Sequence, residues 1–258
     1  MDLRDRVAFI TGGGRGVGRA CALELARRGA RVAVAARTAA QVEAVAQEIE
    51  GMGGRAVGLP CDVAVREAVE SAVARAREVL GPVTILVYAA GIAESHPFRE
   101  ITEAVWERHL RTNVTGALYA MQAVLPDMLA AGWGRIVAVA SVLAKVASRY
   151  TAAYTTSKHA LLGLVRSVAL EYADRGITAN AICPGYLQTD MTAENIRRIS
   201  ARTGRPPEEV RRALESSSPQ RRLFTAEEVA SLVAYLCTDA AGGINGQGIV
   251  LDGGGVLS

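Results

Sequence analysis

The chain has 258 residues, 29 Lys plus Arg against 26 Asp plus Glu, a formal net charge of +3, and 50% apolar, 21% charged and 5% aromatic residues. That balance supports a sizeable core and excludes disordered, collagenous and disulfide-stapled classes. A charge so mild gives no reason to expect nucleic acid or an acidic membrane as partner.

Cys21, Cys61, Cys183 and Cys237 stand singly, with no C-x-x-C pair, which reads as free thiols in a reducing compartment. The start, Met1-Asp2-Leu3-Arg4-Asp5, carries no apolar run behind basic residues, so no secretory leader is expected. No uninterrupted apolar stretch reaches the length of about 18 residues expected of a membrane span. The expectation is a cytoplasmic protein. His96, His109 and His159 lack metal-ligand spacing, so no metal is expected.

In chain order, short apolar runs fall at residues 7–10, 31–35, 55–59, 83–88, 135–140, 178–183 and 248–251. Between them, patterns such as 18–28 and 41–50 return apolar residues every three or four positions, the helical period. Strands alternating with helices predict crossover units and a parallel sheet. Runs that are apolar throughout, rather than alternating, predict a sheet covered on both faces. The reading is one α/β domain over 1–258, with seven strands and six intervening helical segments. Residues 191–224 are rich in Arg, Glu and Ser, include Pro206-Pro207, and carry a short helical pattern at 208–215. So long an excursion predicts a lid, at about 190–224.

Thr11-Gly12-Gly13-Gly14-Arg15-Gly16-Val17-Gly18 follows the first strand directly and opens the first helix. Glycines there permit a tight turn and let a diphosphate approach the backbone, while the helix N-terminus offers free N–H groups. The spacing is T-G-x-x-x-G-x-G rather than G-x-G-x-x-G. The end of strand two discriminates between dinucleotides: an acid there accepts the ribose 2′-hydroxyl, whereas an Arg suits a 2′-phosphate. The chain reads Ala35-Ala36-Arg37-Thr38, with no carboxylate. Arg15 in the glycine turn approaches the same position, and two guanidiniums suit a dianion, so NADP(H) is expected over NAD(H).

Tyr154 and Lys158 are four apart at the head of a long helical pattern, hence on one helix face. An ammonium beside a phenol favours the phenolate, so the Tyr154 pKa is expected to fall below its reference of about 10, making it a usable proton donor. Ser141 ends strand five, at the carboxyl edge where open α/β sheets bind ligands. Its hydroxyl is placed to donate to a carbonyl oxygen gaining charge. Asn113 sits mid-pattern in the preceding helix, where Asn is a poor helix former; it either kinks the helix or holds a water that feeds protons to Lys158.

In this order and spacing these residues resemble the short-chain dehydrogenase/reductase family, over nearly the whole chain. The resemblance implies a Rossmann-type doubly wound fold and an Asn–Ser–Tyr–Lys tetrad at Asn113, Ser141, Tyr154 and Lys158. It implies adenine contacts from Asp62 and Val63, and a nicotinamide-holding P-G-x-x-x-T segment, Pro184-Gly185-Tyr186-Leu187-Gln188-Thr189. Gly12, Arg15, Gly16, Val17, Gly18, Arg37, Ala90, Gly91, Tyr154, Lys158, Pro184, Gly185, Leu187 and Thr189 complete the expected cofactor contacts. One departure stands out: the family has N-N-A-G or N-A-A-G after strand four, and this chain has Tyr88-Ala89-Ala90-Gly91. The asparagine side-chain bonds that brace the central strands are therefore absent.

The implied reaction transfers hydride from NADPH to a ketone carbon while Tyr154 protonates the oxygen and Ser141 stabilises it. Residues 176–185 and the length of the lid resemble 3-hydroxybutyrate dehydrogenases, whose polar carboxylate anchors are replaced here by Leu143 and Thr151. Leu143, Val146 and Tyr186 point instead to an apolar pocket, so the expected substrate is a 3-oxoacyl thioester or a neutral carbonyl compound. Arg197, Arg198, Arg202 and Arg205 could meet a phosphate of its carrier. An NAD-dependent secondary-alcohol or 3-hydroxy acid dehydrogenase is the alternative, and a non-catalytic dinucleotide sensor or scaffold a remote one. The resemblance also implies a homotetramer or dimer.

Overall fold

Seven strands form one parallel sheet: β1 (Val7–Thr11), β2 (Arg31–Ala36), β3 (Ala56–Pro60), β4 (Ile85–Tyr88), β5 (Gly134–Val139), β6 (Ile177–Pro184) and β7 (Gly248–Leu251). Their order is β3-β2-β1-β4-β5-β6-β7, and the two edges of β1 pair in parallel with β2 and β4. The computed structural model describes residues 2–257. Nine α-helices lie among the described residues: α1 (Gly16–Arg27), α2 (Ala39–Gly51), α3 (Arg66–Leu80), α4 (Glu103–Leu110), α5 (Gly116–Ala131), α6 (Ala152–Glu171), α7 (Asp190–Thr203), α8 (Pro207–Glu215) and α9 (Ala226–Leu236).

The central strands are mostly apolar because both faces are covered. β1 and β6 are buried at every position. On one face Ile10, Val34, Val87 and Ile182 pack under α1, α2 and α9. On the other, Phe9, Leu86, Ile136 and Ala181 pack under α3, α5 and α6. Each large apolar side chain so buried contributes about 1.5–3 kcal/mol.

Two of the six expected helical segments are subdivided. The segment between β4 and β5 holds α4 and α5, separated by a π-helical turn at Arg111–Thr115. The segment between β6 and β7 holds α7, α8 and α9. The run Glu103–Ala131, 29 residues, is long and apolar enough to cross a membrane by length and composition, although polar residues interrupt it. Its inner face (Ala117, Ala120, Met121, Val124, Met128) is buried in the core beside the sheet, the arrangement of a core helix.

Between β6 and α9 the chain leaves the alternation and returns at a parallel bridge joining Leu187 to Phe224. Gln188 N donates to Phe224 O at 2.8 Å and Phe224 N to Tyr186 O at 3.0 Å. α9 then starts on a capping box: Thr225 accepts from Glu228 N at 3.2 Å while the Glu228 carboxylate accepts from Thr225 N at 2.8 Å, satisfying two otherwise orphaned donors.

Candidate functional site

Because the strand order reverses at β1, a crevice opens at the carboxyl ends of β1 and β4. The residues singled out in the sequence follow strand ends around it: the glycine turn after β1, Arg37 after β2, Asp62 after β3, Gly91 after β4, Ser141 after β5 and Pro184–Thr189 at and beyond the end of β6.

At the glycine turn, Gly12 has φ +64°, and a Cβ there would lie 2.8 Å from Ala90 N, so a side chain is excluded both by backbone conformation and by space. α1 begins at Gly16, with no side-chain cap from Arg15 and no acid in its first turn, leaving N–H groups free for an anion. At Gly16 an added Cβ would meet only Thr189 Cγ2, at 3.8 Å, so that side of the turn is open and Thr189 lines it. Thr11 Oγ1 accepts from Ala90 N at 3.2 Å, tying this turn to the β4 end. Beyond β2, Arg37 is exposed, as is Arg15. Most arginines in this Arg-rich chain pair with carboxylates, whereas neither of these two does among the described residues. Asp62 Oδ1 accepts from Ala64 N at 3.0 Å, and Val63 is buried.

The four tetrad positions are brought together. Lys158 is buried, and its Nζ donates to Val139 O at 2.9 Å and lies 5.6 Å from the centre of the Tyr154 ring. Ser141 Oγ accepts from Leu143 N at 3.1 Å, and its hydroxyl hydrogen-bonds the Tyr154 phenol. Asn113 is fully buried within the π-helical turn: its Oδ1 accepts from Ile92 N at 2.9 Å, and its Nδ2 donates to Ile92 O at 3.0 Å and to Ser157 Oγ at 2.9 Å. Ser157 in turn donates to Tyr154 O at 2.7 Å. Asn113 does sit in a distorted helix, as one of the two sequence readings has it, and both its amide protons are engaged by protein.

One expectation is corrected. Burial pushes the Tyr154 phenol up to about 12, with the Ser141 hydroxyl pulling the other way; Lys158 does not lower it. Burial likewise brings the Lys158 ammonium down to about 8. Helical spacing placed the two groups side by side, but desolvation disfavours both charges and outweighs their attraction.

Leu143 is half-buried and Tyr186 42% exposed; Tyr186 is near enough to Tyr154 to oppose its ionisation. Thr151 Oγ1 donates to Ser148 O at 2.9 Å and bonds Thr155 Oγ1 at 2.9 Å, so it offers no ready anchor for a carboxylate. The four arginines singled out in 190–224 have partners: Arg197 and Arg198 on Glu194, Arg205 on Glu209, and Arg202 on the Ser95 carbonyl at 3.3 Å.

His109, passed over in the sequence, is fully buried. Its Nδ1 donates to Val105 O at 2.8 Å and its Nε2 accepts from Glu94 N at 3.1 Å. That ring stands edge-on to Tyr154, centroids 6.4 Å apart. Its position four residues before Asn113, on the same helical face, was the available signal.

A sequence profile for the short chain dehydrogenases matches residues 6–199. The chain belongs to the short-chain dehydrogenase family. The dehydrogenase is 38% identical over 256 residues to the oxidoreductase UcpA of Salmonella typhimurium, covering 99% of this chain and 96% of that one. It is 34% identical over 258 residues, the full length of both chains, to the 3-oxoacyl-[acyl-carrier-protein] reductase FabG of Pseudomonas aeruginosa. Among solved structures, a variant actinorhodin polyketide ketoreductase with NADPH superposes with a TM-score of 0.94 at 34% identity, covering 98% of each chain. The dehydrogenase is thus an oxidoreductase that interconverts alcohol and carbonyl with a nicotinamide dinucleotide. The residues present fit that group: the open side of the glycine turn at Gly16 and the uncapped start of α1 suit a diphosphate.

Proposed function

We propose that the protein is an NADP(H)-dependent reductase that converts a ketone, either a 3-oxoacyl thioester or a neutral carbonyl compound, to a secondary alcohol. The observation that carries this reading is the Tyr154 phenol bonded by the Ser141 hydroxyl, with the Lys158 amine buried beside its ring. A Tyr154 phenol held at about 12 keeps its proton at neutral pH, the form that reduction requires of a proton donor.

When bound, the dinucleotide supplies hydride to the carbonyl carbon. Tyr154 gives its proton to the carbonyl oxygen, completing the alcohol, and Ser141 donates a hydrogen bond to that oxygen as its charge develops. Lys158, protonated, faces the resulting phenolate and favours its transient charge; a proton from water then restores the phenol. Asn113 holds the loop at Ile92 and the Ser157 hydroxyl in place. Arg15 and Arg37, both exposed and free of carboxylate partners, support the 2′-phosphate, and the reductase names of relatives such as FabG support the direction.

Leu143, Val146 and Tyr186 support an apolar acyl pocket, with 190–224 as its lid. Arg197, Arg198 and Arg205 are engaged with Glu194 and Glu209, which favours the pocket over a phosphate clamp as what sets the choice of substrate. Tyr154→Phe tests the reading against a panel of ketones and 3-oxoacyl thioesters. NADPH oxidation should vanish while NADPH binding persists; full turnover in that variant overturns it.

A further inference from the structure

The π-helical turn that presents Asn113 contains a backbone group that an ordinary helix would have satisfied. Gly116 N donates to Arg111 O, five residues back, so the Thr112 carbonyl loses the N–H that α-helical geometry would give it. A buried carbonyl without a partner is costly. The missing donor comes from another element: Tyr88, the last residue of β4 and fully buried, donates its hydroxyl to Thr112 O. Space is made for it, because a Cβ on Gly116 would fall 2.6 Å from Tyr88 Oη and 2.7 Å from Val63 O. Thr112 immediately precedes Asn113, whose side chain clamps Ile92 and Ser157.

We propose that Tyr88 is a positioning residue for Asn113, its hydroxyl replacing the helical N–H at Thr112 and so holding open the turn that aims the Asn113 amide into the site. The tyrosine that stands where the family has asparagine is then a rewired brace rather than a lost one. Relaxation of the turn to a regular α-helix would change the rotation of Asn113 by roughly 100° for the residue removed, taking the amide off both Ile92 and Ser157. The inference rests on the reading of Asn113 as part of the reaction site.

The test is a double-mutant cycle between Tyr88→Phe and Asn113→Ala, read as kcat for ketone reduction, with NADPH binding and thermal unfolding as checks on folding. Tyr88→Phe should lower kcat about ten-fold, the scale of one lost buried hydrogen bond, with NADPH Kd within about two-fold. In the Asn113→Ala background the same change should cost nothing further, since coupled residues are not additive. Independent, multiplying losses, a wild-type kcat in Tyr88→Phe, or an Asn113→Ala variant with full turnover each overturn the proposal.

If Tyr88→Phe does not fold, Tyr88→Met removes the hydroxyl with a more adaptable apolar side chain. The same kcat loss and non-additivity are expected of it, and additive losses overturn the proposal. Tyr154→Phe run alongside separates the failures: full turnover there means that the site itself is misread, whereas an inactive Tyr154→Phe with an unaffected Tyr88→Phe removes only the role of Tyr88.

Discussion

Gly91→Ala is a small change with a calculable effect. The backbone of Gly91 is not left-handed, so alanine fits its conformation. The added Cβ would lie 3.3 Å from Asn113 Oδ1 and 3.5 Å from Lys158 Nζ. Asn113 has little room to yield, being held by three hydrogen bonds to Ile92 and Ser157. The methyl therefore presses on the Asn113 side-chain oxygen and places an apolar group in contact with the ammonium, which is held on its other side by Val139 O at 2.9 Å. Blocking one further donor direction of a charged group costs about 1.5–3 kcal/mol, or about 10- to 100-fold in kcat.

A second effect concerns pH. Burial already brings the Lys158 ammonium to about 8, and additional apolar contact lowers it further. The alkaline fall in kcat, where the ammonium is lost, should therefore move to lower pH in the variant. Steady-state reduction followed by NADPH absorbance from pH 6 to pH 9 (roughly the span of a Lys shifted by burial) reads both effects. Wild-type kcat with an unmoved alkaline limb would refute the placement of Gly91 between these two groups.

Arg37→Asp introduces the acid that a ribose 2′-hydroxyl prefers. The ratio of kcat/KM for NADPH over NADH should fall about 10- to 100-fold, and an unchanged ratio removes Arg37 from the phosphate site. His109→Phe keeps a ring against Tyr154 but leaves Glu94 N–H unpaired, at a cost of about 1–3 kcal/mol. The unfolding temperature should drop by about 2–10 °C, and an unaltered value shows that the Glu94 bond contributes nothing. Thr225→Ala removes one half of the α9 capping box and should destabilise by about 1 kcal/mol, measurable by denaturant unfolding. The Arg222 guanidinium and the Thr225 N–H hold the Glu228 carboxyl down from 4.5 to about 2. Its folded pKa is depressed, so its contribution is present above 4.5 and lost as pH falls through about 2. The stability gap between wild type and Glu228→Gln should close over that window.

The strands were legible because burial on both faces leaves an apolar run that no helix-period pattern imitates, as in Ala179–Cys183 of β6. The residues around the crevice were legible because they sit at strand ends, where the topology alone directs them to one edge. Hidden features are those that need a partner distant in sequence. The π-helical turn interrupts a periodicity that continues smoothly from Glu103 to Ala131, and its carbonyl is satisfied by a phenol 24 residues away. The sign of the Tyr154 shift failed for a related reason: spacing places an ammonium beside a phenol, but the desolvation that overrides their attraction depends on everything packed above them. His109 was passed over because its role is written in a bond to the backbone of Glu94, not in any pattern of ligands.

The stitch between Leu187 and Phe224, with Gln188 and Tyr186 bonded across it, has an evolutionary consequence. Both ends of the intervening stretch are anchored to each other, so its residues beyond Thr189 can be exchanged as a cassette while the sheet and the glycine turn that Thr189 lines stay in place. Chimeras joined at that seam offer a route to new selectivity on an unaltered engine.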